Sequence, residues 1–165
     1  MTDSPKGAII KSRKEERKQG TMRINFDMDG TIANLYGVNG WLEMLTEKNA
    51  SPYEIAKPMV NLSRLARYLN KIQKTGIEIG VISWLAKNSN EQYDEMVRIA
   101  KINWLAKHLP SVRWDNVEIV PYGTPKENFC LTENDILFDD EEQNRKNWKG
   151  EAYTEIEIFK VLKNI

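Results

Sequence analysis

One cysteine and one histidine occur in 165 residues. Cys130 has no partner for an intrachain disulfide, and together with His108 it makes too small a set for a zinc site of the Cys/His kind. A reducing cytoplasm is therefore the expected location, and any metal should be a hard cation held by oxygens. No apolar run approaches the roughly 18 to 20 residues that span a bilayer. The short apolar stretch Gly7 to Ile10 lacks the length of a signal-peptide core, so neither export nor a membrane partner is expected. An excess of one charge is also missing: 24 Lys and Arg balance 24 Asp and Glu, which excludes a histone-like or generally basic nucleic-acid binder. Internal repeats, low-complexity tracts and a Pro/Gly/Ser linker are all absent, leaving a single domain as the simplest organisation.

What remains is ample material for a core: 41% hydrophobic residues, with five Trp, six Tyr and four Phe. Residues 1–20 carry six basic and three acidic side chains, a net of +3, and read as a solvated, flexible basic leader to a domain at 21–165. Beyond Gly20, short apolar runs alternate with stretches of helical period, the pattern of an α/β protein with a parallel sheet. Strands are expected at Met22 to Asp27, Glu78 to Ser83, Val117 to Val120, Asp135 to Asp139, and more weakly at Ala152 to Tyr153. Helices are expected at Tyr36 to Lys48, at Tyr53 to Lys74 with a break at Pro58, and at Glu91 to His108. Leu62, Leu65, Leu69 and Ile72 should face the sheet from one helix, and Met96, Val97, Ile99, Ala100 and Trp104 from another.

The first strand ends in Ile24-Asn25-Phe26-Asp27-Met28-Asp29-Gly30-Thr31. Two carboxylates two residues apart in an extended chain lie on one side. At a strand's carboxyl end they stand where open α/β sheets bind ligands, and Gly30 permits the sharp turn that follows. The bland alternative is a pair of turn-capping acids. Ile136-Leu137-Phe138-Asp139-Asp140 delivers two more carboxylates to the same kind of edge, although Asp139-Asp140 would equally serve as a helix N-cap. If the two strands are neighbours, four carboxylates converge, and a divalent cation such as Mg²⁺ would relieve their repulsion. Ser83 closes the second strand with a small hydroxyl suited to a phosphate oxygen. Lys126, in Tyr122-Gly123-Thr124-Pro125-Lys126, could reach the same rim, and Lys87, four residues after Ser83, is its rival.

In order and spacing, Asp-x-Asp-Gly-Thr, strand-Ser, Lys and strand-Asp-Asp resemble the four motifs of the haloacid dehalogenase (HAD) superfamily, from about Met22 to Trp148. Phe-Asp-Met-Asp-Gly-Thr and Asp-Asp-Glu-Glu-Gln-Asn-Arg look most like the 5'(3')-deoxyribonucleotidase branch and its phage and bacterial relatives. The resemblance implies a Rossmann-like sheet of order 5-4-1-2-3, flanked by helices, with a cap inserted after the first strand. Here only residues 34–59 are free to form one, so a small helical lid is expected.

The resemblance further implies a phosphoric monoester hydrolase with Asp27 as nucleophile and Asp29 as general acid and base. Mg²⁺ would be held by Asp27, Asp29 through its carbonyl, Asp139 and Asp140. Ser83, Lys126, Thr31 and Gly30 would attend the phosphate, with Lys126 preferred to Lys87 by order. Tyr36, Trp41 and Trp84 lie near the expected mouth, where an aromatic could stack on a base. The expected substrate is a small phosphorylated molecule, first a nucleotide. The alternatives are a phosphatase for nucleic-acid ends or for a broad range of small phosphoesters, and a HAD-like module that binds phosphate without turning it over.

Overall fold

A computed structural model describes residues 21–165; the basic leader expected at 1–20 lies outside the described residues. Among the described residues, seven strands and six α-helices follow in chain order: β1 (Arg23–Phe26), β2 (Ala33–Asn34), α1 (Trp41–Thr46), α2 (Ser51–Ile55), β3 (Lys57–Pro58), α3 (Leu62–Gln73), β4 (Glu78–Trp84), α4 (Glu91–His108), β5 (Asn116–Val120), β6 (Ile136–Phe138), α5 (Glu142–Asn147), β7 (Glu151–Tyr153) and α6 (Ile158–Leu162). Five strands form one parallel sheet in the order β5-β4-β1-β6-β7. This numbering differs from 5-4-1-2-3 because β2 and β3 form a separate two-stranded antiparallel ribbon. Counted without the ribbon, the same strands read 3-2-1-4-5 from one edge.

The centre of the sheet is buried on both faces, as helix-covered parallel strands are. Ile24, Asn25 and Phe26 of β1 are fully buried, and Phe26 stacks on Phe138 of β6 with ring centroids 5.1 Å apart. Leu65, Leu69 and Ile72 carry the apolar stripe of α3 into the core, with Leu62 partly buried beside them. Side-chain caps define where the crossover helices begin. Asn61 accepts from the Arg64 N–H at 2.9 Å and Asn90 from the Tyr93 N–H at 2.8 Å, satisfying donors that a helix start leaves open.

Two expectations need correction. The long helix at Tyr36 to Lys48 is a 3-10 turn at Leu35–Gly37 followed by the shorter α1, and the break at Pro58 is the ribbon strand β3. On α4 the buried face is Tyr93, Val97, Ala100, Lys101, Trp104 and Leu105, whereas Met96 and Ile99 are about half exposed at 45% and 51%. Val97, Ala100 and Trp104 face inward as expected, but the helix also carries apolar residues on its outer side, so periodicity wrongly adds Met96 and Ile99 and overlooks the buried lysine.

Candidate active site

The carboxyl ends of β1, β4 and β6 meet at one rim, beside a cavity of about 430 Å³. Pairing of β1 with β6 brings the two acidic motifs together: an oxygen from each of Asp27, Asp139 and Asp140 lies within 4.8 Å of the others. Gly30 permits this closeness. It turns with φ +79°, its N–H donates to the Ala33 carbonyl at 2.9 Å, and a Cβ there would overlap Asp140 and stand 2.8 Å from the Tyr36 ring.

Lys126 is buried between the two motifs. Its Nζ donates to Asp27 Oδ1 at 2.8 Å and to Asp139 Oδ2 at 2.7 Å. Burial alone would depress its pKa, but Asp27 and Asp139 outweigh that and raise it, so the ammonium stays charged. Lys87 instead is exposed at the cavity wall, 5.9 Å from the Tyr122 ring centroid. The Thr31 hydroxyl is spent on the acids: it reaches Asp27 Oδ2 at 3.1 Å and Asp140 Oδ1 at 3.3 Å, and accepts from the Asp140 N–H at 3.2 Å. Asp139 also accepts from the Glu141 N–H at 2.9 Å and the Asn144 amide at 3.1 Å. Arg145 ties down the loop by donating to the Asp139 and Asp140 carbonyls at 2.9 and 2.8 Å.

The electrostatics record the crowding. Burial and the neighbouring Asp27 push Asp139 up to about 6, against the pull of Lys126. The same two causes push Asp140 up to about 8. Asp29 stands apart from the three-carboxylate group. Burial raises its pKa, Asp27 adds to the rise, and Lys101 opposes both.

Lys101 is the residue that sequence reasoning misses. It comes from α4, is 1% exposed, and its Nζ donates to Asp29 Oδ2 at 2.7 Å and Ser83 Oγ at 2.7 Å. The available signal is its position, four residues after Val97 and three before Trp104, inside an otherwise apolar stripe. Ser83 itself is fully buried.

Aromatic side chains stand around the cavity. Tyr36 and Trp41 meet edge-to-face with centroids 5.0 Å apart, and Trp84 and Tyr122 lie 5.1 Å apart across a tilted contact. Trp84 also covers Lys126, whose Nζ is 5.1 Å from its ring centroid, and donates from Nε1 to the Thr124 carbonyl at 2.8 Å. Leu35, Leu42, Leu45 and Tyr53 complete an apolar wall supplied by residues 34–59. His108 does not line this cavity and packs on Trp104 with ring centroids 4.5 Å apart. Among the described residues no helix is long and apolar enough to cross a membrane.

No curated protein matches the chain. The family model described as "5' nucleotidase, deoxy (Pyrimidine), cytosolic type C protein" matches residues 54–164, a span that begins after Asp27 and Asp29 and includes Ser83, Lys101, Lys126 and the Asp139-Asp140 pair. With more than half of its length matched, the chain belongs to this family of nucleotide phosphatases within the haloacid dehalogenase superfamily.

Proposed function

We propose that the protein hydrolyses nucleoside monophosphates through an aspartyl-phosphate on Asp27, with residues 34–59 as a small cap. The observation that carries this reading is the placement of Asp27. Its carboxylate is held by Lys126 at 2.8 Å and Thr31 at 3.1 Å, and it lines a cavity with aromatic walls. Each oxygen receives one hydrogen bond, so the carboxylate is oriented while lone pairs remain for attack.

In the first step an Asp27 oxygen forms a bond to phosphorus as the bond from phosphorus to the leaving oxygen breaks, and Asp29 passes a proton to that oxygen. In the second, water attacks the same phosphorus, its proton goes to Asp29, and the bond to Asp27 breaks to release inorganic phosphate. The raised pKa of Asp29 supports the first role, since the acid must hold a proton before it can give one. Lys126 supplies positive charge beside the nucleophile, and burial makes that charge more effective than it would be in water.

The donor set fits a hard divalent cation. It is all oxygen, three carboxylates converge within 4.8 Å, and the four acids Asp27, Asp29, Asp139 and Asp140 face two buried ammonium groups, Lys101 and Lys126, a formal excess of two negative charges. Asp27, Asp139 and Asp140 would hold Mg²⁺, with the Asp29 carbonyl completing the protein's share, and the ion would neutralise phosphoryl oxygens during attack. Tyr36, Trp41 and Trp84 are the surfaces for a base, at the mouth and wall of the same cavity.

A panel of nucleoside monophosphates, sugar phosphates and 3'- or 5'-phosphorylated oligonucleotides, assayed for phosphate release with Mg²⁺, tests this reading. Preference for mononucleotides supports it. Preference for oligonucleotide ends overturns the substrate assignment, and phosphate binding without release from any member overturns the enzymatic one.

A further inference from the structure

A buried aromatic with a polar tip ordinarily gives that tip a protein partner, because it has lost its hydrogen bonds to water. Tyr93, in the same buried cluster as Tyr53, donates to the Asn49 carbonyl at 3.1 Å, and the buried Trp104 and Trp148 donate to the Ala56 and Asp135 carbonyls at 2.8 and 2.9 Å. Tyr53 departs from this pattern. It is only 4% exposed, yet its hydroxyl has no hydrogen bond among the described residues. The sealed side-chain polar atoms without a partner are, among those residues, Asn25 Oδ1, Asp94 Oδ1 and Trp114 Nε1. The Tyr53 oxygen is not one of them and so keeps some accessible surface, and the open space that Tyr53 borders is the candidate active-site cavity.

Its neighbours show which part of the cavity this is. The Tyr53 ring lies over the Lys101 ammonium, with Nζ 4.9 Å from its centroid, and that ammonium donates to Asp29 Oδ2 at 2.7 Å. Tyr53 and Asp29 are thus neighbours across a single charge. Burial raises the pKa of the phenol and the Asp29 carboxylate adds to the rise, so the hydroxyl keeps its proton and can donate it. The wall around it is apolar, made by Leu35, Leu45, Leu85 and Ala86. One polar group in an apolar wall fixes how a ligand lies. In a nucleotide whose leaving oxygen is at Asp29 and whose base is among the aromatic rings, the part that joins the two is the sugar.

We propose that Tyr53 is a specificity-determining residue whose hydroxyl hydrogen-bonds the free hydroxyl of the sugar on the leaving oxygen. The proposal rests on the reading of the protein as a phosphatase of nucleoside monophosphates, and it selects esters of a hydroxylated sugar over esters of other alcohols. Both partners can donate and accept, so the pair can form in either sense. A substrate without that hydroxyl leaves the Tyr53 tip facing carbon. Such a site rejects the deficient analogue more strongly than an apolar pocket could.

The test compares a 2'-deoxynucleoside 5'-monophosphate with its 2',3'-dideoxy counterpart, which carries the same base and lacks the 3'-hydroxyl, in wild type and Tyr53→Phe with Mg²⁺. Wild type should favour the deoxynucleotide by about tenfold in kcat/KM, chiefly through KM, and Tyr53→Phe should bring the two substrates within about twofold. The ratio of the two rates in one preparation is independent of how much of the protein is folded. If Tyr53→Phe yields no folded protein, Tyr53→Leu, which also lacks the hydroxyl, carries the same comparison.

An equal loss on both substrates, as a purely structural tyrosine would give, overturns the proposal, and so does a wild type that does not distinguish them. A variant that keeps the tenfold preference but changes the order of preference among bases assigns the hydroxyl to the base and overturns it too. In each of those cases the nucleotides are still hydrolysed and the reading of the protein as a nucleotidase stands. Phosphate release from p-nitrophenyl phosphate but from neither nucleotide overturns that reading, and the role of Tyr53 with it.

Discussion

Adding one methyl group at Gly30 should separate backbone strain from damage to the site, because a second glycine provides the control. Gly30 and Gly76 both have positive φ, +79° and +92°. Around Gly76 nothing lies within 4 Å of a Cβ, whereas at Gly30 a Cβ would overlap the Asp140 carboxylate and crowd the Tyr36 ring at 2.8 Å. The left-handed conformation costs a side chain roughly 1 to 2 kcal/mol, so Gly76→Ala should lose about that much stability, or about 2 to 8 °C in Tm for a domain of this size. Its kcat should match wild type. Gly30→Ala carries the same strain plus a steric term of about 1 to 3 kcal/mol, together about 2 to 5 kcal/mol or about 4 to 20 °C. Relief of the overlap requires Asp140 to move, and a displacement of about 1 Å at such a site costs about 100-fold in kcat. Thermal melts and phosphatase assays on both variants decide the matter. If Gly30→Ala melts with Gly76→Ala and turns over like wild type, the close approach of Gly30 to Asp140 does not govern the site.

Asp27→Asn keeps the shape and loses the nucleophile, so phosphate release should fall below detection while the far-ultraviolet spectrum stays native; activity near wild type would refute the covalent mechanism. Activity should vanish in EDTA and return with Mg²⁺ but not with Ca²⁺, whose larger, looser shell misplaces the phosphate, and full turnover in chelator would exclude the metal-assisted reading. Trp84→Ala should raise KM for nucleotides by about tenfold to a hundredfold, from a stacking contribution of roughly 1 to 3 kcal/mol, and spare p-nitrophenyl phosphate. A folded Trp84→Ala variant with unchanged nucleotide KM would mean that this ring does not receive the base. His108→Ala should leave kcat unchanged, and an inactive but folded variant would reveal a missing catalytic group.

The elements most legible in the sequence are those whose identity depends on local chemistry. The apolar runs of β1, β4 and β6 end in Asp27, Ser83-Trp84 and Asp139, and those endings alone mark one rim as the place for chemistry. The ribbon of Ala33–Asn34 with Lys57–Pro58 is invisible because strands of two residues have no period, and Pro58 reads as a helix break when its actual role is at the edge of a ribbon. Lys101 is invisible for a different reason. A lysine in a helix is almost always solvated, and only the acceptors Asp29 and Ser83, 72 and 18 residues away in the chain, make its burial tolerable. Spacing within a motif announces an acidic pair, but the partner that neutralises it arrives from another element through the fold. Lys126 was within reach of sequence reasoning because it sits in a turn near the rim, where a cation is expected. Lys101 sits in the hydrophobic face of α4, where the same logic expects none. Buried cations on a helix are therefore best sought as breaks in an apolar stripe, and the break at Lys101 between Val97 and Trp104 is such a case.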